Sequence, residues 1–222
     1  MDAHALKQAV AKEAIKRVES YRGDNLILGI GTGSTAECFI AKLPKLRDRI
    51  KTTVSSSERS SALLLELGFE VQDLNAVDRV DIYVDGADAA MQDGFLIKGG
   101  GAALTREKIT AAKASEFICI VDSSKLVTTL GRFPLPVEVI PMARTLARDA
   151  LNSLGGDAVW REGVVTDNGN IILDVHGLTI TAPLELESVI NNMTGVVCNG
   201  IFAHRPADVL LIANESEVVR VL

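Results

Sequence analysis

Short apolar runs alternate with amphipathic segments along the first half of the chain. The runs NLILGIG (from Asn25), DRVDIYVD (from Asp78) and FICIVD (from Phe117) are typical of strands that are buried on both faces. KTTVS and EVQDL predict two further strands, and helical periodicity predicts helices at about residues 3–21, 34–43, 57–68 and 102–114. Strands that alternate with helices predict a parallel sheet with right-handed crossovers.

The order of elements changes after a cluster of prolines, Pro134, Pro136 and Pro141. Strand VEVI, helix ARTLARDALNSLG, strands DAVWR and NIILDVHG, helix LELESVINNM and strand VVCNGIF follow in turn. This β-α-β-β-α-β order is that of a ferredoxin-like unit. The last apolar run, ADVLLIA from Ala207, is expected to return to the first sheet. We therefore predict an α/β fold: a Rossmann-like parallel-sheet domain (1–132 plus 206–222) with an inserted ferredoxin-like α+β domain (133–205).

Composition narrows the classes of function. The net charge of −6 over 222 residues argues against a nucleic-acid-binding surface. No run of 18 apolar residues predicts a membrane span, and the charged N-terminal helix is unlike a signal peptide. The few cysteines and histidines are scattered, which predicts no disulfide framework, no metal site and a reducing, cytoplasmic location; they are Cys38, Cys119, Cys198, His4, His176 and His204.

Four polar loops follow the predicted parallel strands. They are GTGST (31–35), SSS (55–57), DGAD (85–88) and DSSK (122–125). In open α/β sheets, ligands bind outside the carboxyl ends of the strands. Such residues are also common in ordinary turns, so one loop alone would prove nothing. Four loops on one edge favour a site for a polar ligand.

The GTGST loop imitates part of a dinucleotide fingerprint, but its context differs. The acid expected about 20 residues later, at the end of the second strand, is replaced by SSS. The Gly-Lys-Ser/Thr ending of a phosphate-binding Walker loop is also absent from this loop. Hydroxyls and backbone N–H groups suit a phosphate or a sugar better. The sequence therefore disfavours nucleotide binding.

The segment from Asp85 to Lys108 gathers acids, a lysine and glycines. Asp85 and Asp88 are either a magnesium pair or turn and cap residues, and a nearby Lys98 would argue against the metal. Gly99–Gly101 would let the backbone approach a ligand closely. From periodicity alone, Glu107 is an ordinary solvated helix residue. These residues indicate a phosphate-bearing polar ligand and do not name a reaction.

The ordered motifs GIGTGSTA, VSSS, YVDGAD, IKGGGAALTREK, DSSK and FPLPVEVIPMA resemble the type A ribose-5-phosphate isomerases. The similarity continues through REGVVTDNGNIILDVHG to GVVCNGIFA and so covers nearly the whole chain. The combination is highly specific, and IKGGGAALTREK is its strongest block. The predicted architecture is also that of this family.

The resemblance implies interconversion of D-ribose 5-phosphate and D-ribulose 5-phosphate through a cis-enediolate, in the non-oxidative pentose phosphate pathway. It implies no metal and no other cofactor. It assigns the catalytic base to Glu107 and further catalytic roles to Asp85, Asp88 and Lys98. It assigns substrate binding to the remaining motif residues, which are Thr32, Gly33, Ser34, Thr35, Gly86, Ala87, Gly99, Gly100, Gly101, Lys125 and Lys7.

One position departs from the family pattern. Members commonly have an acid after DGAD, where this chain has Ala89 and Ala90. Because DGAD itself is intact, we expect altered local packing or solvation and retained activity. The family also forms dimers and tetramers, so a homo-oligomer is expected.

Three other functions stay open at this point. The main alternative is a non-catalytic sugar-phosphate sensor, which would need a DNA-binding module that the sequence does not predict and would not need Glu107. A nicotinamide-dependent dehydrogenase would bind NAD(H). A related acyl-CoA transferase would form a covalent thioester on a glutamate.

Overall fold

The computed structural model describes residues 2–222 and has six α-helices and thirteen β-strands within them. The helices are α1 (Ala3–Glu19), α2 (Ser34–Ile40), α3 (Glu58–Glu66), α4 (Leu104–Lys113), α5 (Arg144–Asn152) and α6 (Pro183–Asn191). The strands are β1 (Leu26–Ile30), β2 (Ile50–Ser55), β3 (Val80–Asp85), β4 (Ala89–Ala90), β5 (Leu96–Ile97), β6 (Ala114–Asp122), β7 (Leu135–Val139), β8 (Asp157–Trp160), β9 (Ile171–His176), β10 (Val196–Asn199), β11 (Ile201–Phe202), β12 (Val209–Ala213) and β13 (Val218–Arg220).

The chain divides into two compact units. The first unit consists of the described residues up to Gly86, together with Ile109–Leu126 and Ala207–Leu222. The second unit consists of Ala87–Lys108 and Val127–Pro206. The domain boundaries inferred from the sequence, at 132/133 and 205/206, stay a prediction.

The first unit is built on a six-stranded sheet in the order β13-β12-β6-β3-β1-β2. All neighbouring pairs are parallel except the edge pair β12–β13. The α/β class with a parallel sheet is thus confirmed, and so is the return of the run ADVLLIA to this sheet. Strands β1, β3 and β12 are buried along their whole length, as their continuous apolar runs predicted.

Local signals in the sequence set the helix starts of this unit. The Asp2 carboxylate accepts a hydrogen bond of 2.7 Å from the Ala5 N–H at the start of α1. The Ser57 hydroxyl does the same for the Ser60 N–H at the start of α3, at 3.2 Å. Helix α2 begins after Gly33, whose φ of +103° is a conformation that other residues rarely adopt.

The second unit contains a four-stranded antiparallel sheet in the order β10-β7-β9-β8. Its elements follow each other as β7-α5-β8-β9-α6-β10, which is compatible with the predicted ferredoxin-like insertion. Buried residues of this unit, among them Val137, Leu151, Leu173 and Ile190, form its hydrophobic core.

Three local elements differ from the sequence prediction. The run EVQDL does not form a strand: only Val71 makes an isolated parallel bridge, to Thr53, before a 3-10 turn at Leu74–Ala76. The Asp73 carboxylate caps that turn by accepting the Asn75 N–H at 2.7 Å. This local hydrogen bond favours a turn over a continued strand. Strand β13 and the strands β4 and β5 of the small sheet β11-β5-β4 were not predicted, because strands of two or three residues carry no periodic pattern.

The predicted single strand VVCNGIF is divided at Gly200 into β10 and β11. A Cβ at Gly200 would lie 2.2 Å from the Lys98 carbonyl oxygen, so a side chain there would collide with the backbone. The Lys98 N–H donates to the Gly200 carbonyl at 2.9 Å. The glycine therefore lets this segment pass directly beside Lys98.

The core of the first unit allows a test of its packing. Leu28, at the centre of β1, is fully buried, whereas Leu65 on α3 is 59% exposed. Leu28→Ala should lower the free energy of unfolding by about 2–5 kcal/mol, because it leaves a cavity in a tightly packed core. Urea denaturation measures this change, and Leu65→Ala is the matched control, expected within about 0.5 kcal/mol of the wild type. A Leu28→Ala variant as stable as the control would contradict the packing described here.

Candidate active site

Four polar loops converge at one edge of the parallel sheet, as the sequence predicted. Strands β6, β3, β1 and β2 are neighbours and all parallel, so their carboxyl ends share one edge. Thr32–Thr35 follow β1, and Ser56 and Ser57 follow β2. Asp85 ends β3 and is followed by Gly86, and Lys125 ends the 3-10 turn after β6.

Asp85 is the central acceptor of this edge. It is fully buried, and its Oδ1 accepts hydrogen bonds from the Thr32 N–H at 3.1 Å and the Gly86 N–H at 2.7 Å. The Tyr83 hydroxyl donates to the other carboxylate oxygen. A Cβ at Gly31 would lie 1.9 Å from Asp85, so only glycine leaves room for the carboxylate there.

The loop after β1 is surrounded by hydroxyls and a lysine. The Thr32 hydroxyl lies 2.8 Å from the Ser56 hydroxyl, and Lys7 Nζ donates to the Ser34 hydroxyl at 2.8 Å. A Cβ on Gly86 would lie 3.6 Å from the Thr35 Cβ, so these two residues are also adjacent. The first unit thus brings Lys7, the Thr32–Thr35 loop, Asp85 and Gly86 together.

Glu107 and Lys98 form an ion pair in the second unit. The distance from Lys98 Nζ to Glu107 Oε2 is 3.4 Å, and the two residues are only 2% and 3% exposed. The interpretation of Glu107 as a solvated helix residue, drawn from periodicity, is therefore wrong. Periodicity failed because it locates one apolar face and gives no signal for a second, polar face that is also buried.

Aromatic and acidic side chains surround this ion pair. Lys98 Nζ lies 5.6 Å from the centre of the Phe202 ring, and Lys108 Nζ lies 4.9 Å from it. Lys108 pairs with the buried Glu187 at 2.5 Å. Glu187 also accepts the Ala203 N–H at 2.9 Å, which fixes the chain beside Phe202. The ring therefore has two cations near it, an arrangement that is attractive when the site is dry.

Asp88 and the glycine run form the other part of this group. Asp88 is half-buried, and its Oδ2 accepts the Gly100 N–H at 2.7 Å. Gly99 has φ of +111°, and a Cβ on Gly100 would lie 2.6 Å from Asp88 Oδ1. Ala102, just after the run, has φ of +59°, an uncommon conformation for a residue with a side chain. The second unit thus brings Asp88, Lys98, the glycine run and Glu107 into one segment.

The acid network around Glu138 was missed by the sequence reasoning. Glu138 is fully buried and accepts the Thr105 hydroxyl, the Thr166 hydroxyl at 2.8 Å and the Asn170 side-chain amide at 2.9 Å. Thr105 lies in the first turn of α4, two residues before Glu107. Glu138 therefore anchors the turn that carries Glu107. The only signal in the sequence was a lone acid within the apolar strand LPVEV.

The departure at Ala89 and Ala90 now has a structural context. The two alanines form β4 and are buried, with Ala89 paired to Ile97 and Ala90 to Leu96. Ala89 also belongs to the hydrophobic core of the second unit. An alanine suits this apolar site, which supports the expectation of altered local packing.

Burial raises the pKa of the Cys198 thiol in the same unit, and nearby Lys108 partly offsets that effect. All three cysteines are buried free thiols.

Among residues 2–222, no three or more His, Cys, Asp or Glu side chains are grouped so that they could hold a metal ion. In the same residues, no helix is both long and apolar enough to cross a membrane.

Comparisons with known proteins agree with this arrangement. Residues 52–217 match the family "Ribose 5-phosphate isomerase A (phosphoriboisomerase A)". A ribose 5-phosphate isomerase A structure from Neisseria gonorrhoeae is 43% identical, with a TM-score of 0.94 over 99% of this chain and 96% of that one. One from Methanocaldococcus jannaschii is 41% identical, with a TM-score of 0.91 over 99% of both chains.

A third similar structure contains a bound molecule. It is a D-ribose-5-phosphate isomerase in complex with phospho-erythronic acid, 37% identical, with a TM-score of 0.91 over 99% of both chains. The family match covers well over half of the chain, and these relatives align over almost all of it. The chain therefore belongs to the ribose 5-phosphate isomerase A family.

Proposed function

We propose that this protein interconverts D-ribose 5-phosphate and D-ribulose 5-phosphate by proton transfer on the open-chain sugar, with Glu107 as the base. Family membership supports the aldose–ketose isomerase activity. The observation that carries the mechanism is the buried Lys98–Glu107 pair, with 3.4 Å between Nζ and Oε2. A carboxylate and a cation in a dry site supply a base and a charge stabiliser for one reaction.

The proton transfer uses a single carboxylate. Glu107 removes the proton from C2 of open-chain ribose 5-phosphate. The electron pair of that C–H bond forms the C1–C2 double bond of a cis-enediolate. The protonated Glu107 then returns the proton to C1, which gives the ketose. A positioned general base contributes about 10²–10⁴-fold to such a reaction.

The larger contribution must come from stabilising the enediolate, because a sugar carbon is a very weak acid. Lys98 supplies a positive charge that is already desolvated, since it is only 2% exposed. We assign the same role to N–H groups of the glycine run Gly99–Gly101. Fixed donors in a dry site lose little energy to reorganisation when the charge develops.

We assign the proton transfers between the sugar oxygens to the two aspartates. Asp85 and Asp88 would open the furanose ring and move protons between O1 and O2. Asp85 is fully buried and Asp88 only half-buried, so their environments differ.

Substrate binding is assigned to the remaining motif residues. The Thr32–Thr35 loop and Lys7 provide hydroxyls, backbone N–H groups and a charge, which are the groups that bind phosphate and sugar oxygens. Lys125 supplies a second lysine at the same sheet edge. Backbone groups of Gly86 and Ala87 complete the set.

Three broader properties belong to this proposal. A sugar-phosphate sensor is not favoured, because simple binding gives no reason to bury a glutamate–lysine pair. The buried free thiols support a reducing, cytoplasmic location. A homo-oligomer is supported by exposed apolar side chains in the second unit, such as Met142 at 97% and Leu146 at 59%.

Glu107→Gln tests the base. The amide has nearly the same shape but cannot accept the C2 proton, so kcat should fall by at least about 10²–10⁴-fold while substrate still binds. Turnover is followed by ribulose 5-phosphate formation, and binding by calorimetry. Glu185→Gln, an exposed glutamate on α6, is the control and should keep wild-type kinetics. Near-native turnover by Glu107→Gln would rule out this residue as the base.

Lys98→Met tests the charge stabiliser. The apolar chain keeps much of the volume, but the cation beside Glu107 is lost, so kcat should fall more than KM rises. The free energy of unfolding should also fall, because a buried carboxylate loses its partner. Steady-state kinetics and urea denaturation measure the two effects, with exposed Lys51→Met as the control. A change in KM alone would make Lys98 a ground-state ligand instead.

A further inference from the structure

Arg161 binds the backbone of the glycine run from the side of its carbonyl groups. Its Nη1 donates hydrogen bonds of 3.1 Å to the carbonyl oxygens of both Gly99 and Gly100. Its Nε and Nη2 donate to the two carboxylate oxygens of Asp174, at 2.7 and 2.5 Å. The guanidinium is therefore fixed on one side by a two-pronged ion pair and holds two consecutive peptide groups on the other.

Because of peptide geometry, this contact also orients the N–H groups on the opposite face of the glycine run. In a trans peptide group the C=O and the following N–H are coplanar and point in opposite directions. The Gly99 carbonyl shares its peptide group with the Gly100 N–H, and the Gly100 carbonyl shares one with the Gly101 N–H. Fixing the two carbonyls therefore fixes the directions of both N–H groups.

One of these N–H groups already has a partner at the site. The Gly100 N–H donates to Asp88 Oδ2 at 2.7 Å. A cation bound to the carbonyl end of a peptide group also strengthens the N–H at the other end, because linked hydrogen bonds polarise each other. Arg161 thus affects both the aim and the strength of this donor.

The glycine run needs such an external support. Gly99 has φ of +111°, and a Cβ on Gly100 would lie 2.6 Å from Asp88 Oδ1, so the conformation depends on the absence of side chains. The same absence makes glycine backbone the most flexible of all residues. Without side chains to pack, the run depends on hydrogen bonds to its backbone for a fixed orientation.

We propose that Arg161, anchored by Asp174, is a positioning residue for the isomerase reaction. It aims the Gly100 N–H at Asp88 and holds the Gly101 N–H ready for the charge that develops on the enediolate. This inference rests on the proposed function, because the value of the fixed donors lies in the transition state. Arg161 acts through the backbone and makes no bond to the reacting atoms.

Arg161→Lys and Asp174→Asn test the proposal. A lysine keeps the charge, but a single ammonium nitrogen cannot reproduce the planar fork that serves a carboxylate and two carbonyls together. Asparagine keeps the shape of Asp174 and removes the ionic anchor. The matched controls are Arg148→Lys and Asp149→Asn, which alter an exposed arginine–aspartate pair on α5 of the same unit.

The expected result is a split between kcat and KM. In both test variants kcat should fall about 10-fold or more, while KM for ribose 5-phosphate changes less than about 3-fold, because misaligned donors fail mainly in the transition state. Both controls should keep wild-type values. Thermal unfolding of every variant shows whether a loss of kcat merely reflects a smaller folded fraction.

Binding of phospho-erythronic acid gives a readout that does not depend on turnover. Its carboxylate places anionic oxygens at the end of a phosphorylated chain, as an enediolate does. Arg161→Lys should weaken the affinity for this acid about 10-fold, measured by calorimetry, while Arg148→Lys leaves it unchanged. If Arg161→Lys matches Arg148→Lys in both kcat and this affinity, Arg161 is only a structural link and the proposal is wrong.

Amide hydrogen exchange separates this proposal from the proposed function. If the wild-type protein does not isomerise ribose 5-phosphate, the proposed function fails, and the backbone contact is judged by NMR in the free protein. The Gly100 and Gly101 N–H groups should exchange about 10-fold faster in Arg161→Lys than in the wild type, since their peptide groups lose a fixed partner. Unchanged exchange at both glycines would overturn the role of Arg161 as a positioning residue.

Discussion

The burial of an oppositely charged pair is the constraint on which the candidate site depends. Lys98 and Glu107 are 2% and 3% exposed, and removing either charge from water is costly unless a partner lies close. The separation of 3.4 Å supplies that partner. Much of the surrounding structure serves to keep the pair together and dry. Phe202 covers the lysine, and Gly200 lets the chain pass directly beside it.

Two buried acids extend this constraint through the second unit. Glu138 is saturated by neutral donors and holds the first turn of α4, while Glu187 pairs with Lys108 and fixes the chain beside Phe202. Each of these carboxylates is satisfied by several hydrogen bonds, which is the condition under which a buried polar network rigidifies a site. Glu107 is therefore held by its neighbours rather than by its own helix alone.

The chemistry of the isomerase follows from this rigidity. Proton abstraction from a sugar carbon demands a base in a fixed position and donors that are already oriented when negative charge appears. In the mechanism proposed above, the buried lysine and the glycine backbone meet the second demand in different ways. The lysine is assigned the charge, and the glycines are assigned the N–H groups that side chains would otherwise cover.

By itself, the sequence determined the α/β class, the parallel sheet and the edge at which the polar loops meet, because strand burial and loop chemistry are local signals. It did not reveal the short strands β4, β5 and β13, nor that VVCNGIF would divide at Gly200 and that a capped turn would replace the end of EVQDL. The resemblance of the ordered motifs assigned the catalytic base to Glu107, although the periodicity of the helix indicated a solvated residue there. Only the tertiary structure decided that Glu107 is buried against Lys98, and that Glu138, Glu187 and Arg161 bond to Thr105, Lys108 and the glycine run. These contacts join residues far apart in the chain, and no local pattern encodes which distant partner will satisfy a buried charge.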